Sequence, residues 1–190
     1  MRMSSKMNFL LRTAQVSDYS SIERLIEVSV RKLAAADYSP EQIAGALKTA
    51  FGLDTQLIKD QTYFVVESGH SLIGCGGWSY RETLFGSDFE QSRSCRLIDP
   101  LTGAAKIRAF FVDPDFSRMG VATMILQKCE QQAQAAGFGK LELMATLPGI
   151  RLYEKRGYVA GEPIHYPLGG QLTIKFVPMV KNSGQISVQS

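Results

Sequence analysis

The sequence predicts an α/β (α+β) fold, one domain built on a mixed sheet, and three observations carry that prediction. Helix-like and strand-like hydrophobic periods alternate along the chain. Their order is a strand, two helices, a hairpin, a strand–helix–strand–helix run and closing strands, which lays helices on a sheet rather than in a bundle. At 190 residues and 45% hydrophobic, the chain suffices for one sizeable core and is short for two.

The elements follow in order. Asn8 to Arg12 reads as a first strand, with Ser17 or Asp18 as a helix cap after it. Ile22, Leu25, Ile26, Val30, Leu33 and Ala34 recur at helical spacing, giving an amphipathic helix to about Ala36. Ser39-Pro40-Glu41-Gln42 starts a second helix: serine caps, proline suits the first helical position, and Gln42 completes a capping box. That helix turns Ile43, Ala46, Leu47 and Ala50 inward. The period then changes, and Thr62 to Glu67 and Ser71 to Tyr80 read as a hairpin. Within it, Gly76-Gly77 signals a bulge or a close backbone approach, and Trp78 reads as core.

Residues 81–105 lack a period and read as a long loop, with a short helix near Asp88 and Phe85 as a candidate lid. Lys106 to Val112 is a buried strand, Arg118 to Ala136 a helix and Gly139 to Ala145 another strand. Pro148 to Arg156 is a short helix, Tyr158 begins a strand, and Leu172 to Val180 closes the fold. The domain spans 1–181, with 182–190 as a flexible polar tail.

Composition narrows the function classes. A net charge of +3, scattered along the chain, is not the clustered basic face of a nucleic-acid binder. Three cysteines without C-x-x-C spacing and two histidines offer no metal site and fit a reducing compartment. Cys129 shares a helix face with Ala122, Ile125, Leu126 and Ala133, so it reads as a core residue. No run approaches the roughly 20 apolar residues of a membrane span. The N-terminus lacks a signal-peptide pattern, so the expected location is cytoplasmic.

The chemistry concentrates between Phe110 and Thr123. A buried strand ends at Val112, Pro114 stops sheet pairing, and the chain turns into a helix near Arg118. A helix N-terminus leaves N–H groups unpaired and carries partial positive charge, so this turn suits an anion such as a pyrophosphate. Gly120 and small Ala122 allow close approach, and Arg118 adds a formal charge. Neither a Walker A loop nor a Gly-x-Gly-x-x-Gly fingerprint is present.

This turn, taken with Leu152-Tyr153-Glu154-Lys155-Arg156-Gly157-Tyr158, resembles the cofactor core of the GNAT superfamily of acyl-CoA N-acyltransferases. That core reads as strand, V-x-P and Q/R-x-x-G-x-G/A opening a long helix, then a strand and a short helix ending in L/F-Y-E-K-x-G-F/Y. The resemblance implies a mostly antiparallel central sheet flanked by helices, with splayed strands forming an acyl-CoA cleft. It implies acetyl-CoA as co-substrate, no metal, a small-molecule or peptide amine as acceptor, and a homodimer as a common family state.

Carried over by position, Phe111 and Val112 lie on the strand that pairs with the pantetheine arm. Arg118, Met119, Gly120, Val121, Ala122 and Thr123 form the pyrophosphate turn, and Thr146 stands where the family often has asparagine. Tyr153 matches the tyrosine that commonly protonates the departing thiolate, and a backbone N–H at the strand end near Val112 is the candidate for polarising the thioester carbonyl. The chain departs from the pattern at Ser117, with Arg118 one place late, at Gly149 for alanine, and at Lys106, where many relatives carry a glutamate that assists as base. Glu82, Asp37, His165 and Tyr80 are polar candidates near the acceptor side without a distinguishing signal. The implied reaction is direct attack of the amine on the thioester in a ternary complex. A non-catalytic CoA-binding sensor of the same fold is the alternative.

Overall fold

The computed structural model describes residues 8–83, 88 and 96–182; Phe85, Cys95 and the predicted tail from residue 183 lie outside the described residues. Among the described residues, eight strands form one sheet: β1 (Phe9–Thr13), β2 (Tyr63–Ser68), β3 (Ser71–Ser79), β4 (Ala105–Val112), β5 (Lys140–Thr146), β6 (Val159–Ala160), β7 (Ile164–Gly169) and β8 (Leu172–Asn182). Their order is β1-β2-β3-β4-β5-β8-β6, with β7 also paired to β8. Every pairing is antiparallel except β4 with β5.

Helices cover both faces. On one side lie α1 (Tyr19–Leu33), α2 (Pro40–Ala46) and α3 (Thr55–Lys59); on the other lies α4 (Val121–Ala135), with α5 (Ile150–Lys155) after β5. The strand period sorts the core between them. Phe64 and Val66 face α4 while Tyr63 and Val65 face α1, so β2 reads as an unbroken apolar run because both its faces are buried. On α1, Ile22, Leu25, Ile26, Ser29 and Val30 form the buried stripe. The predicted capping box is made: Ser39 Oγ accepts from Gln42 N–H, and Gln42 Oε1 accepts from Ser39 N–H at 2.9 Å. Trp78 is core as predicted, its indole N–H donating to Gln132 Oε1 at 3.0 Å.

Several boundaries differ from the sequence reading. Asp18 stands at the N-cap of α1, yet its carboxylate grips Arg12 and the Gln15 N–H instead of capping. α3, too short for its period to show, and β7, whose side chains are mostly exposed, were not predicted. The predicted helix start at Arg118 moves to Val121, because Arg118 (φ 62°) and Gly120 (φ 88°) both sit in the left-handed region and cannot continue a helix.

Candidate functional site

The site begins where β4 and β5 part. They pair only from Ala105↔Leu141 to Ile107↔Leu143, after which β4 runs on to Val112 and β5 to Thr146 without meeting. The cause is a bulge. The β3–β4 register shifts between Cys75 and Gly77, and Ala109 takes φ 55° to absorb the extra residue. Tyr63 Oη donates to the Ala109 carbonyl at 2.9 Å and holds the bulge from below. Gly76 makes it possible: a Cβ there would stand 2.7 Å from the Phe110 ring, which lies against this glycine. The close approach predicted from Gly76-Gly77 is thus a seat for Phe110.

Two neighbouring cavities lie in the gap and share Phe51, Phe110, Phe111, Thr146 and Tyr153 in their walls. The outer cleft runs between Ser29 of α1, Val112, Ala122 of α4, Thr146 and Tyr153. The inner chamber is bounded by Phe51, Arg108, Ala109, Met144, Tyr153 and Phe176. Phe51, on the segment between α2 and α3, borders both, and also a side groove that carries Glu23, Glu27, Arg31 and Asp88. Arg108, 5% exposed, pairs with Asp54, 0% exposed, at 2.8 Å, tying that segment to the start of the bulge.

At the outer end stands the N-terminus of α4. Met124 N–H is bonded to Gly120 O at 2.9 Å, so the amides of Gly120, Val121, Ala122 and Thr123 are the four that a helix leaves unpaired. A Cβ on Gly120 would meet nothing within 4 Å, so the approach to these amides is open. Arg118 and Met119 flank it, both exposed. Ser117 and Met119 spend their N–H groups inside the turn, on Pro114 O and Phe116 O.

At the inner end stands Tyr153, 8% exposed, its ring edge-on to Phe110 and Tyr158. Burial pushes its hydroxyl pKa up, so the phenol stays protonated through the neutral range. Gly149 leaves room beside it: a Cβ there would be 3.3 Å from Thr146 Oγ1 and 3.4 Å from the tyrosine ring.

The structure therefore brings Val112, Ala122, Thr146 and Tyr153 to one cleft; Ala122 is the residue of the predicted turn that lines it, while the Val121 side chain is buried in the core. Phe111 borders both cavities. The Val112 N–H donates to Ser29 Oγ at 3.2 Å, so this amide is already engaged and does not face a carbonyl directly. Phe110, two residues back, turns its amide to the same open edge of β4. Glu82, Asp37, His165 and Tyr80 do not line either cavity. Lys106 forms an ion pair with Glu142 across the parallel strands, outside the chamber.

Ser29, Phe51, Phe110 and the Asp54–Arg108 pair are not among the residues that sequence reasoning selected. Ser29 carried a signal: it is the one polar side chain in the buried stripe of α1.

Residues 28–158 match the model of the Acetyltransferase (GNAT) family. No curated protein matches the chain. Solved structures of similar fold include a GCN5-related N-acetyltransferase from Rhodopseudomonas palustris, with 20% identity, TM-score 0.67, and 96% of this chain and 98% of that one covered. The PaiA N-acetyltransferase of Thermoplasma acidophilum, in complex with coenzyme A, aligns at 13% identity and TM-score 0.63, over 93% and 99% of the two chains. YncA of Salmonella typhimurium, with its cofactor acetyl-CoA, aligns at 12% identity and TM-score 0.62, over 96% and 98%.

Proposed function

The chain belongs to the GNAT acetyltransferase family, and from that premise we propose that it transfers an acetyl group from acetyl-CoA to a primary amine of a small-molecule or peptide acceptor. One observation carries the reading: the parted β4 and β5 leave a cleft lined both by Ala122, in the first turn of α4, and by Tyr153. Its outer end suits a pyrophosphate, bound mainly by backbone N–H groups with Arg118 adding charge. The open edge from Phe110 to Val112 suits the pantetheine arm laid along β4 as an added strand, with Thr146 on the opposite wall.

The proposed chemistry takes place in the inner chamber. The amine nitrogen attacks the thioester carbonyl, the C–N bond forms, and the C–S bond breaks. Tyr153, held protonated by burial, gives its proton to the departing thiolate. The Phe110 N–H, on the edge of β4 away from β3, polarises the carbonyl. Arg108 and Tyr153 are the ionisable groups among the residues that line the chamber, and no lining residue is a carboxylate that would hold a cation. Such a lining disfavours an ammonium, so the amine enters neutral, and the proton it sheds once the C–N bond has formed returns through water to Tyr153.

The test adds acetyl-CoA with a panel of polyamines, amino acids, aminoglycosides and peptide N-termini and follows release of free thiol. Turnover of one class is the expected result. Tight CoA binding with no turnover would favour the sensor function, and absence of CoA binding would refute both.

A further inference from the structure

We propose that the Ser29 hydroxyl binds the acyl donor, accepting the Val112 N–H and donating its own proton to a carbonyl oxygen of the pantetheine arm. The inference rests on the acyl-CoA reading above and assigns the group that meets the arm at this point of the cleft.

Ser29 is 4% exposed and sits among Ile22, Leu25, Ile26 and Val30 on the buried face of α1. A hydroxyl placed there without full hydrogen bonding costs free energy. Serines inside helices usually turn back to the carbonyl four residues earlier. Ser29 instead borders the outer cleft and accepts from Val112 N–H at 3.2 Å. A hydroxyl carries one donor and two acceptor sites. Among the described residues, no acceptor takes the Ser29 proton. One buried donor is therefore left at a cleft wall, next to the strand edge along which an extended ligand would lie.

The geometry also gives the bond a direction. Asp113 N–H pairs with Ile73 O of β3 at 2.9 Å, so the Val112 amide, one residue earlier, faces away from β3 into the gap. A ligand running along β4 meets Ser29 where it would otherwise meet that amide. The amide polarises the hydroxyl it binds, and the hydroxyl becomes a stronger donor to the next oxygen.

The experiment compares CoA with 3′-phospho-ADP, the half of CoA that lacks the pantetheine arm, by calorimetry on wild type and Ser29→Ala. The variant is expected to bind CoA about three- to tenfold more weakly and to bind 3′-phospho-ADP as the wild type does. Equal or tighter CoA binding by the variant would overturn the proposal, because the freed Val112 amide would then serve directly. Equal weakening of both ligands would overturn it too, since that is the mark of a displaced α1. A wild type that binds 3′-phospho-ADP and CoA with one affinity refutes any hold on the arm, and one that binds neither refutes the acyl-CoA reading itself.

Discussion

Replacing Tyr153 with phenylalanine separates the proposed chemistry from the fold more cleanly than any other single change. The substitution removes one oxygen and keeps the ring, whose edge-on contacts to Phe110 and Tyr158 have centroid separations of 6.4 and 5.7 Å. No described residue hydrogen-bonds the hydroxyl, so Tyr153→Phe strands no buried partner. The expected stability change is within about 0.5 kcal/mol, or about 1–2 °C in Tm for a chain of this size. Loss of a general acid lowers turnover by about a hundred- to ten-thousandfold, which is about 2.7–5.4 kcal/mol on the barrier. CoA affinity should stay at the wild-type value, because no bond to the bound arm is assigned to this oxygen. The assay is initial-rate thiol release with a turned-over amine, beside thermal melting and CoA titration. Turnover within about twofold of wild type, with CoA binding intact, would refute the acid role. A fall of more than about 5 °C in Tm would instead show that the hydroxyl supports the fold.

Three further outcomes test the architecture around the site. Arg108→Met leaves the Asp54 carboxylate at 0% exposure without its cation and should cost about 3–5 kcal/mol in urea unfolding, whereas the double replacement Asp54→Leu with Arg108→Met should recover most of it. Gly76→Ala sets a methyl 2.7 Å from the Phe110 ring; a loss of about 1–3 kcal/mol and weaker CoA binding are expected, read by melting and calorimetry. Burial pushes Cys75 and Tyr38 up to about 12. In the unfolded chain they titrate near 8.5 and 10, so above those values the unfolded state gives up protons that the folded state keeps. Stability is therefore full below about pH 8.5 and falls as pH rises toward 12, by up to about 1.4 kcal/mol per pH unit per group, measurable as a decline in Tm.

Much of the frame was legible without coordinates, since it rests on neighbours in sequence. The α1 stripe is a matter of spacing, the α2 cap closes within four residues, and β2 declares two buried faces by four apolar residues in a row. The same local signals failed where the period was short or masked. α3 has five residues, β7 is mostly exposed, and the left-handed Arg118 looked helical because its side chain gives no sign of backbone φ.

The sequence by itself determined the layers, the strand-to-helix turn ahead of α4, and the tyrosine of the last motif, because each depends on periodicity or on residues within one or two turns of one another. It also held an unread sign, the polar Ser29 inside an apolar stripe. The cleft itself was decided by the tertiary structure. Gly76 and Phe110 must meet before the β4 bulge can form, Asp54 must reach Arg108 to place Phe51, and Ser29 bonds Val112 across 83 residues of chain. Such contacts depend on how a twisted sheet and its helices pack, and no local period encodes that distance.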